Sequence, residues 1–474
     1  MRGVVAAGDR RTAEAGRDVL ADGGNAVDAA VAAAFTAFVA EPLLASAGGA
    51  GMMTVALPDS PPRVVDFFST MPGLEGAPAA PDFRSVEVDF GSTTQTFHVG
   101  RGSVAPPAAL EGLLEAARRF GRRPLAELVR PAARHAREGL TLSAQNAMVY
   151  GLLWPIQTQS PEALALASGV PPTEQTSLTN PALAELLEET AALGAPPSRF
   201  TEGLIEAFGP ARGGLLSAQD LLRAAPRVVE PRVLRLGAWT VLTSPHAGGE
   251  RVARLLTALA ARRDPEDEVA EACAFAAASR LASARAAPPG HGSTTHVSVL
   301  DAEGGVAAVT LTNGEGCGFV VPGTGVQPNN FLGEEDLNPD GFHAHAPGVV
   351  LPTMIAPTVA LDGGRPALAL GSGGSNRIRS VVGAVLYRVV HGASLEGAIM
   401  APRIHAEGDH VWLERAGWRD PDAVERALGE RFARVHPFPD RAFYFGGVNA
   451  VRVEGDRAEA IADPRRGGAV AHVT

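Results

Sequence analysis

The stretch TTHVSVLDAEGGVAAVTLTN, Thr294 to Asn313, reads as a pair of β-strands joined by a glycine turn. Both arms are rich in β-branched and small apolar residues, and AEGG between them supplies the turn chemistry of a tight hairpin. In an antiparallel hairpin, residues equidistant from the turn centre face one another. With the turn centred on Glu303, Thr294 and Thr312 each lie nine residues away and form such a pair. One reading of that pair is structural, because threonine fits the pleat and often pairs across strands. The other is chemical. A threonine hydroxyl is a weak nucleophile without a base, but a threonine at a chain start carries its own, an α-amine whose ordinary pKa is about 7.7 to 8. Thr294 follows APPGHGS, Ala287 to Ser293, where proline and glycine end a helical run and leave an adaptable connection. Attack of the Thr294 hydroxyl on the Ser293 carbonyl, followed by ester hydrolysis, would free that amine and leave fragments of 293 and 181 residues.

The rest of the chain narrows the chemistry. Its 474 residues can bury a large core, and 41 basic against 52 acidic side chains give a formal charge of -11. That balance argues against a nucleic-acid partner. Every basic residue is arginine, so Schiff-base, lysine-nucleophile and phosphate-loop lysine chemistry are excluded. Cys273 and Cys317 form no CxxC pair and imply neither a disulfide framework nor a zinc site. The opening MRGVVAAGDRR places charges where a signal peptide carries its apolar region, so a cytoplasmic location is expected. The apolar run from Ala26 to Ala40 is shorter than the roughly 20 residues of a membrane span and contains Asp28. A buried helix is expected there, and no membrane partner.

Helical spacing marks RRTAEAGRDVLAD and the Ala26 run, with Asn25 as a cap for the second. MMTVAL and RVVDFF read as strands, followed by a long proline-rich loop from about Ser69 to Pro107. Mostly amphipathic helices occupy Pro107 to about Ala225, then strands RVLRLG and WTVLTS, then helices around 253–287. Beyond Thr294 the chain is β-rich, and ALALGSGGSNRIRSVVGAVLYRVV reads as strand, glycine turn, helix. Backbone N–H groups at such a turn are free to meet a negative charge. The full GxGxxG pattern of a dinucleotide loop is missing.

Together these blocks resemble the gamma-glutamyltranspeptidase family of N-terminal-nucleophile hydrolases. The hairpin with VVPGTG and NN after it is similar to the start of the family's small subunit. AEAGRDVLADGGNAVDAAVAAAF, VAEP and SAGGAGMM resemble the opening of the large subunit, and GSVAPPAALEGLLEAARRFGRRPLAELVRPAARHAREG its middle. GSGGSNRI, APRIH and ADPRRGG resemble later blocks. The resemblance implies a four-layer αββα sandwich, with a large-subunit region 1–293 and a small-subunit region 294–474 that share two packed sheets. It makes Thr294 the nucleophile and self-cleavage residue, and Thr312 the second threonine that hydrogen-bonds it. Gly373 and Gly374 become the oxyanion hole, and Asn313 an asparagine that helps hold the glutamyl group. No cofactor and no metal are implied.

The substrate shell departs from the family pattern. The arginine that takes a glutamyl α-carboxylate should follow the strand RVVDFF, but STMPGLEGAPAA stands there. Arg84 and Arg101 in the long loop are the candidate substitutes. Phe331 occupies a glutamine position, and Glu334 or Glu335 replaces the acid that holds the α-amine. Of a serine pair, only Thr353 keeps a hydroxyl. The segment 336–350 is too short for a lid, so an open pocket is expected, with Glu315 and Cys317 near it. His343 and His345 lack a third ligand at useful spacing for a metal. His296 and Thr295 are expected to be structural, and Asp463 with Arg465 to fix the C-terminal turn. The expected activity is a gamma-glutamyltransferase-like hydrolase or acyltransferase acting on gamma-glutamyl amides such as glutathione or its conjugates. The alternatives are an acylase with a glutaryl-type donor and an unprocessed binding homologue. The expected partners are the small-molecule amide and, after cleavage, the chain's own fragments as a heterodimer.

Overall fold

Alternation along Thr294–Leu300 sets the layers of the molecule. Val297 and Val299 point to one side and pack against helices, while His296, Ser298 and Leu300 point to a second sheet. The computed structural model describes residues 3–58, 60–89, 94–260, 267–283, 293–455 and 457–474. Apart from Ser293, the connection APPGHGS lies outside them.

The first sheet runs in the order Ala469–His472, Val4–Ala7, Thr294–Leu300, Val306–Thr312, Ala50–Ala56, Arg63–Phe67, Arg227–Val229, each neighbour antiparallel. The hairpin has the expected register, with Thr294 opposite Thr312 and Leu300 opposite Val306. The second sheet runs Arg457–Ala462, Gly447–Glu454, Arg365–Gly373, Thr358–Asp362, Trp239–Thr243, Arg232–Leu236. Val4, Ala6, Leu300, Ala308, Ala369 and Val451 fill the space between the sheets. Small residues there let the sheets approach closely.

Helices Ala26–Ala40, Ala109–Phe120, Leu125–Glu138 and Pro181–Leu193 cover the outer face of the first sheet. Helices Ala247–Ala260, Glu268–Ala282, Ile378–Val390 and Leu395–Met400 cover the second. The result is the four-layer αββα sandwich. Helix Ala26–Ala40 is buried almost all round, as its unbroken apolar run demands. Its one acid, Asp28, is satisfied: it closes a capping box with Asn25 and accepts from the Arg122 and Arg123 N–H groups. The helix ends at Glu41, beneath strand Thr294–Leu300.

The elements differ from the sequence reading in two places. Val4–Ala7 is a strand before the first helix, held between Thr294–Leu300 and the C-terminal strand. The long loop from Ser69 contains a hairpin, Arg84–Asp89 with Thr94–Val99. Its strands alternate, with Val86, Val88, Phe97 and Val99 buried between polar residues, but they are short and lie in a proline-rich stretch.

Candidate active site

Thr294 sits at the first position of its strand and is 5% exposed, and Thr312 opposite is 8% exposed. The Thr294 hydroxyl donates to Thr312 Oγ1 at 3.2 Å, and Thr312 Oγ1 donates to the Ser293 carbonyl at 2.8 Å. The Gly314 N–H donates to the same Thr312 oxygen at 3.2 Å. The second threonine therefore links the hydroxyl to the carbonyl of the peptide bond that precedes it. On the other side of that bond, the Glu315 carboxyl accepts from the Ser293 N–H.

The glycine turn lies against the same residue. Strand Arg365–Gly373 ends where its backbone passes Thr294, so closely that a Cβ on Gly373 would stand 2.1 Å from the Thr294 carbonyl oxygen. Only glycine permits that approach. Gly374 has φ +120°, and the 3-10 turn Ser375–Arg377 then leads into helix Ile378–Val390. Strand, turn and helix thus follow the order read from sequence.

A cavity of about 30 Å³ opens on Thr294, Thr312, Glu334, Asp336, Thr353 and Ser375, with an apolar side of Phe68, Phe331, Leu337, Met354, Ile355 and Ile378. Phe68 and Phe331 stack with centroids 5.3 Å apart. Phe68 is the residue directly after strand Arg63–Phe67, and Asp66 holds its N–H at 3.2 Å while binding Arg227 and His246. Among the described residues, the lining carries no arginine. Burial raises all three carboxyls at this site: Glu315 to about 8, Asp336 to about 6, and Glu334 well above the usual range, where Glu315 and Asp336 add their charge. Oε1 of Glu334 and Oε1 of Glu315 are shut off from solvent without a hydrogen-bond donor. Thr353 lines the cavity and accepts from the Ile355 N–H at 3.3 Å. Asn313 stands behind the lining, donating to the Gln327 carbonyl at 3.3 Å.

Several expectations for the shell change. Arg84 and Arg101 do not reach the cavity, because both are drawn to the Asp82 carboxylate and lie over the Phe319 ring. Glu335 is exposed, which leaves Glu334, of the two glutamates, on the pocket beside Asp336. Thr295 is more than a strand residue: its hydroxyl donates to Glu41 Oε2 at 2.5 Å, and Thr12 donates to Oε1 at 2.8 Å. Burial and the neighbouring Asp9 push Glu41 up to about 7. His296 is structural, bonded to Thr310 and Ser298 and driven down to about 3 by burial. His343 and His345 bind the carbonyls of Gly102 and Leu337, and no cluster of metal-ligating residues occurs among the described residues. Cys317 is buried, and its thiol is pushed up to about 12 by that burial, which makes it inert. Asp463 bonds Arg465, as expected, but also Arg403.

With this geometry in view, the family model described as Gamma-glutamyltranspeptidase matches residues 12–281 and 266–473. The chain belongs to the gamma-glutamyltranspeptidase family. Within the family it is similar to the Acylase ACY 1 proenzyme of Pseudomonas sp. (strain SE83), at 30% identity over 96% of this chain and 90% of that one. It is also similar to the Glutathione hydrolase proenzyme of Pseudomonas aeruginosa, at 27% identity over 98% and 94% of the two chains. The solved structure of cephalosporin acylase from Bacillus halodurans shares the fold, with a TM-score of 0.82, 23% identity, and 99% and 95% of the two chains covered. These relatives are named hydrolases and acylases, which supports an enzyme. Among the described residues, no helix is long and apolar enough to cross a membrane.

Three contacts escaped sequence reasoning: Asp336 in the cavity, Phe68 beside Phe331, and Glu41 under Thr295. Phe68 was open to inference, since it closes the strand-like run RVVDFF. Asp336 and Glu41 carry no local signal of their role.

Proposed function

We propose that this chain cuts itself before Thr294 and then hydrolyses or transfers the acyl group of an amide. The observation that carries the reading is the chain of hydrogen bonds from Thr294 through Thr312 to the Ser293 carbonyl. In the precursor, Thr294 Oγ1 attacks the Ser293 carbon while its proton passes to Thr312, whose own proton moves to the developing oxyanion. The C–N bond then breaks, the Thr294 nitrogen takes up the proton, and water hydrolyses the ester to leave a Ser293 carboxylate. The freed α-amine becomes the base for the next acyl transfer, and the Gly373–Gly374 turn stabilises its oxyanion. Each of the two sheets is built from strands of both 1–293 and 294–474, and strand Val4–Ala7 lies between two strands of 294–474, which supports the two fragments staying together as a heterodimer.

For the donor, the cavity favours an acylase over a gamma-glutamyl enzyme. A gamma-glutamyl group carries an α-carboxylate that calls for a guanidinium, and the stacked Phe68 and Phe331 offer an apolar wall instead. The similarity to a protein named an acylase agrees with this. One observation favours the gamma-glutamyl reading, the unpartnered Glu334 Oε1, which suits an α-amine. Gamma-glutamyl, glutaryl and butyryl anilides separate the two. The acylase reading expects kcat/KM for the butyryl anilide, which lacks the carboxylate that the gamma-glutamyl and glutaryl groups share, to exceed that for the gamma-glutamyl anilide by about tenfold or more, the loss expected when a charged group is left unpaired. Preference for the gamma-glutamyl anilide would reverse it.

A further inference from the structure

Asp336 stands between the acyl cavity and the glycine turn. Its carboxylate accepts from Asn376 Nδ2 at 2.7 Å and from the Ser375 hydroxyl, the two residues that follow Gly374. Ser375 needs such a hold. Its φ of +50° is left-handed, a conformation that residues with a Cβ occupy only when their surroundings impose it. Glycine at 374 has φ +120°, so two successive residues depart from ordinary backbone directly beside Thr294. The turn's own backbone bond, from the Arg377 N–H to the Gly374 carbonyl at 3.0 Å, does not hold the Ser375 and Asn376 side chains. The carboxylate bridging Ser375 and Asn376 does.

We propose that Asp336 is the positioning residue of this site, clamping Ser375 and Asn376 so that the Gly373–Gly374 turn keeps its donors trained on the reacting carbonyl. The inference rests on the reading of Thr294 as nucleophile and of the glycine turn as the oxyanion site. Asp336 touches neither the nucleophile nor the scissile carbonyl by hydrogen bond and acts through the turn. A cluster of charges surrounds it: Arg377, Arg379 and Arg251 support its ionised form, while Glu407, Glu334 and Glu315 oppose it. The buried Arg379–Glu407 pair at 2.7 Å ties this cluster to the sheet behind the helix. Because Asp336 also lines the cavity, an acyl group that fills the pocket packs against the same side chain that holds the turn.

A double-variant cycle on the processed enzyme tests the clamp, using the anilide that the wild type turns over best. Asp336→Ala is expected to lower kcat by about 30-fold or more while KM stays within about threefold, the signature of a displaced transition-state donor. Ser375→Ala should lower kcat by about threefold to tenfold, and the double variant should be less than about twofold worse than Asp336→Ala, since both remove one interaction. Effects that multiply, or a KM that rises with kcat intact, would overturn the clamp and make Asp336 a substrate contact. If Asp336→Ala fails to fold, Ser375→Ala with Asn376→Ala breaks the same bonds from the turn's side, and unchanged kcat in that pair would overturn the proposal equally. Absence of cleavage or turnover in the wild type would instead strike the underlying assignment of Thr294.

Discussion

In the proposed cleavage, Thr312 is the residue on which the chemistry turns. It accepts a hydrogen bond from the Thr294 hydroxyl and donates one to the Ser293 carbonyl, so on that reading its hydroxyl rather than its shape matters. Thr312→Val keeps the strand and removes the relay, and is expected to slow self-cleavage by about 100-fold, as loss of a single preorganised donor does elsewhere. Thr312→Ser should retain cleavage, and time courses on denaturing gels measure both. The facing pair was legible in sequence because a glycine turn fixes hairpin register, and register decides which residues meet. Asp336 was not legible. It lies in irregular chain, and its partners Ser375 and Asn376 are about forty residues away, brought near only by the packing of the second sheet's helix layer.

Among the elements, the nucleophile strand is held from both faces. On the helix side, Thr295 and Thr12 donate to Glu41 at the end of the buried helix Ala26–Ala40. Thr295→Val removes a donor from a buried carboxyl and is expected to cost about 1–3 kcal/mol of stability, read from denaturant unfolding. On the sheet side, Gly373 leaves no room for a Cβ, and Gly373→Ala is expected to abolish cleavage while lowering stability by about 1–3 kcal/mol. The strands that frame this site announce themselves by apolar runs and glycine stops. Val4–Ala7 does not, because four apolar residues before a helix read equally well as its approach. The hairpin within the long loop does alternate, through Val86, Val88, Phe97 and Val99, but its six-residue strands are set among proline-rich flanks that read as loop.

At the scale of the whole molecule, burial of acids gives stability a pH dependence. Glu41 titrates at about 7 in the folded chain against an ordinary 4.5, so the folded state binds the extra proton between those values. Its contribution is therefore full below about 4.5 and is lost as pH rises through 7. Buried His296, held near 3, works in the opposite sense below 6.5, so the comparison must be between variants. Glu41→Gln should raise the melting temperature relative to wild type at pH 8 more than at pH 5. Both sheets contain strands from either side of Ser293–Thr294, so the cut changes one bond without dividing the fold. The central claim is that cut. Intact mass of the purified protein, followed over incubation together with Thr294→Ala, tests it directly. The account predicts fragments of 293 and 181 residues, the second beginning at Thr294, and a variant that stays whole and inactive. A wild-type chain that remains at 474 residues while hydrolysing amides would contradict it.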